Sequence, residues 1–263
     1  MSTFKMSRRR FLGVGAAGAS SLALAGCNQF DFLGQRDNEV RNVLEQANDV
    51  TYRAQRLLLG DDWLAREFSE SEIRQGQRPN GSTDPTTPEY TFLSQQNFAN
   101  YRLEVRGLVD TPRSYSLEEL RAMPARTQIT RHDCVEGWSC IAKWTGVPLG
   151  LILDEAGVQA GARYVVFRCF DNIERGLSGD VLYYESCDLI DARHPQTILA
   201  YGLNDETLPV ANGAPLRVRI ERQLGYKMAK YISSIDLVSS FADIEGGKGG
   251  YWEDRGYEWY AGI

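Results

Sequence analysis

The sequence has few of the residues that build conventional metal sites and no surplus of positive charge. Only two histidines and five cysteines occur in 263 residues, so neither a histidine-rich metal site nor a dense disulfide scaffold is expected. The 29 basic residues are outnumbered by 35 acidic ones, and the net charge of −6 gives no indication of nucleic-acid binding. No CxxCH motif is present to attach a c-type haem.

Long apolar runs are also missing once the first 27 residues are passed. A bilayer-spanning helix takes roughly 20 apolar residues, and no later run reaches that length. At the N-terminus, the basic run Ser7–Leu12 precedes a short Gly- and Ala-rich stretch, which is the pattern of an export signal. Its consecutive arginines favour the twin-arginine route, which carries folded proteins and therefore hints at a bound cofactor.

The export signal ends in Leu24-Ala25-Gly26-Cys27, which resembles the bacterial lipobox. We therefore expect residues 1–27 to be a twin-arginine lipoprotein signal. The mature chain would lie on the periplasmic side of a bacterial membrane, anchored through lipid on Cys27. A transmembrane anchor or an incidental cysteine is the alternative.

Residues 28–89 are expected to be a tether, an N-terminal helix and a linker. Apolar residues at helical spacing predict an amphipathic helix over 37–59 and a short second helix over 63–68. Residues 76–89 are rich in Gly, Pro, Ser and Thr and predict an exposed connector.

From residue 90 onward strands outnumber helices, which predicts an α+β fold for a domain over 90–240. Alternating patterns predict strands over 101–105, 163–170, 216–220 and 231–239. Short helices are predicted over 117–123, where Ser116 and Glu119 form a capping-box pattern, and over 149–156. Residues 241–263 form an aromatic, glycine-rich tail, which is either a lid, an interaction strip or a packed extension.

The segment RHDCVEGWS, from Arg131 to Ser139, places a cysteine beside an arginine and a histidine. Neighbouring cations lower the pKa of a thiol, so Cys134 is expected to ionise readily. A thiolate is either a nucleophile or a ligand for a soft metal. Cys140 is too far along the chain for a CxxC redox pair, and no second pair is present to hold zinc. A buried structural cysteine is the alternative for Cys134.

Four further segments follow in order: WTGVPL from Trp144, HPQTILAY from His194, NGAPLR from Asn212 and GYKMAK from Gly225. Together with CVEGWS they resemble, over about residues 90–240, the sulfite-oxidase-type molybdopterin oxidoreductases. The closest pattern is that of the periplasmic methionine-sulfoxide-reductase catalytic subunits. The resemblance implies a sulfite-oxidase-like molybdopterin-binding fold and an enzyme of two-electron oxygen-atom transfer. It also implies a molybdenum–molybdopterin cofactor with one pterin per molybdenum.

By this resemblance, Cys134 is the catalytic residue and the one protein ligand to molybdenum. The expected cofactor-binding residues are Gln96, Asn97, Cys169, Asn212, Arg217, Met228, Ala229 and Lys230. Arg217 offers a planar fork for a phosphate. Gln96 and Asn97 match the family's N-terminal cofactor loop only in rough position, and Cys169 stands where relatives carry Thr or Asp.

Several of these residues have ordinary structural alternatives. Asn212 with Gly213 also fits a plain turn, and Arg217 also fits a surface position on a strand. Trp138 and Trp144 fit a hydrophobic core, and His132 fits either a residue that orients the site or a solvated one. A disulfide between Cys169 and Cys187 is left open.

The CVEGWS segment favours reduction of an S-oxide or similar oxo substrate, small or protein-bound. Sulfite oxidation is the first alternative, but the relatives that oxidise sulfite carry basic residues soon after the ligand cysteine, where this chain has Glu136. A non-enzymatic binding lipoprotein is the second alternative, and it would leave Cys134 and Arg217 without a shared purpose.

The resemblance also bears on partners. Electrons are expected from a separate protein, either a membrane haem protein or a cytochrome. The C-terminal immunoglobulin-like domain of the sulfite oxidases has no counterpart after residue 240, which favours a monomer.

Overall fold

The computed structural model describes residues 39–176 and 179–263. The predicted export signal, Cys27 and the tether lie outside the described residues. Thr51–Ile263 form one compact unit that holds all of the described strands, and the described residues before Thr51 belong to a separate unit. Within the described ranges, no helix has both the length and the apolar character needed to cross a membrane.

The elements alternate irregularly along the chain, as the predicted α+β class requires. The helices are α1 (Glu39–Leu59), α2 (Pro88–Gln95), α3 (Leu117–Ala122), α4 (Leu149–Ala156) and α5 (Leu189–Arg193). The strands are β1 (Arg102–Gly107), β2 (Arg113–Ser116), β3 (Arg126–Cys134), β4 (Trp138–Pro148), β5 (Tyr164–Gly176), β6 (Gly179–Asp188), β7 (Ile198–Leu203), β8 (Glu206–Thr207), β9 (Arg217–Arg219) and β10 (Ile232–Val238).

The strands form two sheets. The first has the order β2-β1-β10-β5-β6, in which β1 and β10 are parallel and the other neighbours antiparallel. The second has the order β3-β4-β7-β8, with β9 also paired to β7. Its longest feature is the β3–β4 hairpin, which runs in register from Arg126 opposite Gly146 to Cys134 opposite Trp138. The predicted cysteine therefore stands at the tip of a rigid hairpin.

The predicted short helix over 63–68 is wrong. The backbone of Ala65 is bonded at both its N–H and its carbonyl to the side-chain amide of Gln196, at 2.8 and 3.0 Å. The Phe68 N–H donates to the carbonyl of Ile129 on β3 at 2.9 Å. Because these backbone groups bond to distant partners, the segment forms no helix where local spacing predicted one.

Other local predictions are confirmed. Ser116 caps α3 by accepting from the Glu119 N–H at 3.1 Å, and the Glu119 carboxylate accepts from the Ser116 N–H at 2.7 Å. Helix α4 has the predicted bounds and buries Leu149, Ile152 and Leu153 in the core over the first sheet. Trp144 is fully buried in a smaller core within the second sheet, which agrees with the hydrophobic-core position considered for it from the sequence.

Strand β3 escaped prediction because its inward face is polar. Its buried side chains are Gln128, Thr130 and His132, so burial alternates along the strand while hydrophobicity does not. The same strand carries Cys134, so the strand that positions this motif shows no hydrophobic alternation in the sequence.

Candidate functional site

Cys134 is a free, partly buried thiol at the tip of the β3–β4 hairpin. The turn is closed by the Gly137 N–H, which donates to the Cys134 carbonyl at 3.0 Å. Because β3 and β4 pair over nine registered positions, the thiol is held at a fixed place and not on a mobile loop.

The charges around Cys134 differ from those predicted. Arg131 pairs with Asp133 at 2.8 Å. His132 is buried and accepts at Nδ1 from Arg219 at 2.9 Å, and burial together with Arg219 holds its pKa well below the usual value. It therefore carries no positive charge near neutral pH. Burial raises the pKa of the Cys134 thiol, so the predicted lowering by Arg131 and His132 is wrong.

Cys134 opens into a cavity of about 160 Å³ that draws its walls from five parts of the chain. These are the hairpin tip, the first sheet, the loop around residues 225–230, the connector and the C-terminal tail. The lining residues are Asn80, Gly81, Ser82, Cys134, Val135, Glu136, Asp171, Ile173, Tyr183, Gly225, Tyr226, Met228, Lys230, Trp252 and Tyr257. We call this cavity the cleft.

A buried cation lies behind the cleft. The Arg217 side chain is 1% exposed, and its guanidinium donates to the carbonyls of Asn212 at 2.9 Å and Met228 at 3.5 Å. It stacks on the Trp144 ring at 4.9 Å, and Arg219 stacks on the same ring at 4.5 Å. Burial and the neighbouring Arg219 lower the pKa of Arg217 to about 9.

Lys230 connects this cation to the cleft. Its ammonium donates to the carbonyls of Ser82 and Ala211, the latter at 3.1 Å. Burial and Arg217 lower the pKa of Lys230 to about 7, although nearby Asp171 opposes this shift. The turn at Gly213, with φ of 115°, brings the backbone so close that a Cβ there would lie 3.0 Å from the Lys230 Cβ. Only glycine combines that conformation with that approach.

This cluster holds buried donors that lack an acceptor. Within residues 39–176 and 179–263, the ion pairs include neither Arg217 nor Lys230. Buried Nδ2 of Asn212 and buried Nε of Arg217 have no hydrogen-bond partner in this part of the chain. Buried donors without an acceptor, next to cations that form no ion pair in this part of the chain, fit an anionic group such as a phosphate ester. The residues present therefore fit a phosphate-bearing cofactor that reaches Cys134 through the cleft.

The structure brings together five of the residues singled out in the sequence. Cys134, Met228 and Lys230 line the cleft, and Arg217 donates to the carbonyl of Met228 on the same loop and to the carbonyl of Asn212. The neighbouring Ala229 is buried, with its carbonyl accepting from the Val218 N–H at 2.9 Å.

The remaining predicted residues do not line the cleft. Gln96 and Asn97 follow the end of α2 and are not among the cleft residues, and the Gln96 side chain accepts from Asn100. Cys169 is packed in the core of the first sheet, and its pKa is raised by burial. Cys169 and Cys187 are both free thiols, so the disulfide left open by the sequence is not formed.

Sequence reasoning missed the connector as part of the site. The Ser82 hydroxyl donates to Asp171 Oδ2 at 2.5 Å, and the Ser82 carbonyl accepts from the Tyr231 hydroxyl at 3.0 Å. Asp171 is 4% exposed, and burial raises its pKa. The Gly-, Pro- and Ser-rich composition of the connector correctly indicated irregular backbone but carried no sign of what that backbone touches.

Comparison with known proteins finds matches over most of the chain. Residues 91–243 match the family model described as "Oxidoreductase molybdopterin binding domain". An Azospira oryzae protein named "Putative protein-methionine-sulfoxide reductase subunit YedZ1" is 43% identical over 97% of this chain and 88% of its own length.

More distant matches cover less of either chain. The protein-methionine-sulfoxide reductase catalytic subunit MsrP of Ralstonia nicotianae is 38% identical over 52% of this chain and 44% of its own length. The solved structure of the sulfane dehydrogenase SoxCD from Paracoccus pantotrophus aligns with a TM-score of 0.47 and 22% identity. That alignment covers 54% of this chain and 39% of the SoxCD chain.

Proposed function

The chain belongs to the oxidoreductase molybdopterin-binding family, and we propose that it is the catalytic component of a reductase that removes oxygen from S-oxides. It is a molybdopterin-dependent enzyme homologous to the protein-methionine-sulfoxide reductases. The observation that carries the proposal is the meeting of Cys134 with Lys230 in one cleft, backed by the unpartnered donors of Asn212 and Arg217.

The protein residues divide the work of holding the cofactor. Cys134 would supply the single thiolate ligand to the metal, and metal binding would release the thiol proton that burial retains. Arg217, Lys230 and Asn212 would hold the phosphate, because among the described residues Nδ2 of Asn212 and Nε of Arg217 have no acceptor and neither cation forms an ion pair. When bound, the molybdenum–molybdopterin group, with one pterin per molybdenum, supplies the two-electron couple for oxygen-atom transfer.

The chemistry of the cleft favours a neutral S-oxide. Reduction of an S-oxide consumes two electrons and two protons and yields a thioether and water. The apolar lining of Val135, Ile173 and the aromatic rings suits the substituents on sulfur. Among the described cleft residues, Lys230 is the one basic side chain, and in this proposal it binds the phosphate of the cofactor. Sulfite, which is an anion, would find no arginine in this lining.

Purified protein from a molybdenum-sufficient host should oxidise a reduced viologen dye when methionine sulfoxide is added. Metal analysis should give close to one molybdenum per chain. With ferricyanide as electron acceptor, we expect kcat/KM for sulfite to be at least about tenfold lower than kcat/KM for methionine sulfoxide. This is the scale on which a pocket discriminates against a substrate that does not fit it. Efficient sulfite turnover would overturn the assignment as a reductase, and a metal-free, pterin-free protein would overturn the enzyme assignment altogether.

The setting of the enzyme is a further part of the proposal. We propose export in the folded state, a lipid anchor at Cys27, and electrons from a separate membrane haem protein or cytochrome. An anchor beside the membrane would keep the cleft within reach of such a donor.

The anchor can be tested by cell fractionation. Wild-type protein should sediment with membranes, whereas Cys27→Ser should be released into the periplasmic fraction with its molybdenum content unchanged. A wild-type protein that fractionates as soluble periplasmic protein would contradict the anchor while leaving the chemistry untouched.

A further inference from the structure

The C-terminal tail takes part in the cleft. Trp252 and Tyr257 line the same cavity as Cys134. Their ring centroids are 5.2 Å apart, and the Tyr257 ring meets the Tyr226 ring edge-on, also at 5.2 Å. We call these three side chains, Tyr226, Trp252 and Tyr257, the aromatic wall. The wall joins the tail to the loop that carries Met228 and Lys230.

A buried ion pair lies directly behind the aromatic wall. Lys227, the residue after Tyr226, donates to Glu253, the residue after Trp252. The same ammonium donates to Glu185 on β6 at 2.5 Å. Lys227 and Glu185 are fully buried and the Glu253 side chain is 1% exposed. One cation therefore ties the two halves of the wall to each other and to the first sheet.

The charges of this cluster do not balance if both carboxyl groups are ionised. Burial, followed by repulsion from Glu253, raises the pKa of Glu185 well above its usual value. Burial lowers the pKa of Lys227, but the two carboxylates outweigh it and raise that pKa. The shift favours the protonated form of Glu185, which lowers the negative charge around the single ammonium of Lys227.

The backbone of the tail is fitted closely to this cluster. A Cβ at Gly250 would overlap the carboxylate of Glu253 and lie 2.7 Å from that of Glu185. The Tyr251 N–H donates to the Tyr184 carbonyl on β6 at 3.0 Å. Farther along, the Leu224 N–H donates to the Ala261 carbonyl at 2.9 Å. The tail is thus anchored on both sides of the aromatic wall, and its ring positions are set by the protein.

We propose that the aromatic wall selects the substrate of the cleft, and that Lys227 positions the wall through Glu253. The proposal rests on the proposed function, since a wall acts on specificity only if reaction occurs at Cys134. Aromatic faces attract apolar groups and polarisable sulfur, and they contribute little to the binding of a small, compact substrate. The wall should therefore favour S-oxides with an extended apolar arm, such as a methionine sulfoxide side chain, over dimethyl sulfoxide.

Trp252→Ala tests the contact. We expect kcat/KM for N-acetylmethionine sulfoxide to fall roughly tenfold, mainly through KM, because one large aromatic contact is lost. The value for dimethyl sulfoxide should change by less than about twofold. Trp252→Phe should keep most of the preference. Trp63→Ala is the matched control, because Trp63 is 43% exposed and lies outside the cleft.

The outcomes separate this inference from the proposed function. If the wild type reduces neither sulfoxide, both the function and the wall are overturned. If the wild type reduces both and Trp252→Ala lowers both equally, or changes neither, the wall is overturned and the function stands. Molybdenum content of each variant is measured beside the kinetics, so that loss of cofactor is not mistaken for loss of substrate contact.

Substitution of the two glutamates tests the positioning role. Glu185→Gln and Glu253→Gln should each keep the substrate preference within about twofold, because the remaining carboxylate can pair with Lys227. The double variant leaves the ammonium without a counter-charge, so KM for N-acetylmethionine sulfoxide should rise about as much as in Trp252→Ala with kcat nearly unchanged.

Gly250→Ala keeps the test decisive if the double variant does not fold. Its methyl group presses on both carboxylates without removing charge, so it should raise the same KM and leave kcat alone. Equal losses in the single and double glutamine variants would refute the idea that either carboxyl group alone can pair with Lys227. A Gly250→Ala protein with unchanged substrate preference would refute the positioning role.

Discussion

Cys134→Ala should lower turnover by more than about a hundredfold and remove most of the molybdenum, while the protein still folds. Loss of an outer-shell partner already costs 10–100-fold at metal sites, and Cys134 is proposed as the direct ligand. The thiol is partly exposed at a hairpin tip, so its removal leaves little cavity, and the free energy of unfolding should change by less than about 1 kcal/mol. Metal analysis and chemical denaturation measure the two effects separately.

Cys140→Ala is the matched control for that experiment. Cys140 is also a free thiol, lies on the other strand of the same hairpin and is 2% exposed. Because its side chain packs in the interior and does not line the cleft, the variant should lose stability and keep its molybdenum. Near-stoichiometric molybdenum in Cys134→Ala, or equal metal loss in the two variants, would show that Cys134 is not the ligand.

Arg217→Met should have opposite effects on the cofactor-free and the cofactor-loaded protein. In protein made by a host that lacks molybdopterin, Arg217 is a buried cation whose hydrogen-bond partners among the described residues are carbonyls. A methionine of similar length removes that unfavourable charge, so the free energy of unfolding should increase by about 1–3 kcal/mol. In a molybdenum-sufficient host, the same variant should retain roughly tenfold less cofactor, because the phosphate loses its planar fork.

Two comparisons make the opposite signs informative. Arg217→Lys keeps the positive charge but loses the planar guanidinium group. The cofactor-free variant should therefore be as stable as the wild type, and the loaded variant should lose as much cofactor as Arg217→Met. Arg106→Met removes a charge from a side chain that is 58% exposed and pairs with Asp236, and it should alter neither quantity appreciably. If Arg217→Met destabilised the cofactor-free protein, the cluster would be a structural network and not an anion-binding site.

The pH dependence of the cofactor-free protein measures the same cluster through Lys230. Below pH 7 this amine carries a proton in both the folded and the unfolded chain. Between its folded pKa of about 7 and its ordinary value of 10.5, the unfolded chain binds a proton that the folded chain lacks. The free energy of unfolding should therefore rise with pH through that window, by up to ~1.4 kcal/mol per unit for this group. Lys230→Met should remove that contribution to the slope.

The sequence by itself determined the family, the α+β class and the more local parts of the fold. Ser116 and Glu119 stand three residues apart, so their capping box could be predicted from the sequence and is present in the structure. The boundaries of α4 follow from the spacing of its own apolar residues. The motifs around Cys134 and Arg217 were identified because residues needed for one chemistry lie in short, ordered runs.

Only the tertiary structure decided which distant residues share the cleft. Ser82 bonds to Asp171, 89 positions away, while Gln96 and Asn97, predicted for the same role, lie outside the lining. Likewise, the sequence allowed the tail to be a lid, an interaction strip or a packed extension. The buried pair of Lys227 with Glu253 shows that the tail is packed against the domain. The electrostatics also needed the fold, since the pKa of Cys134 depends on burial more than on Arg131 or His132. Local patterns report only near neighbours, whereas burial and charge depend on every element packed around a group.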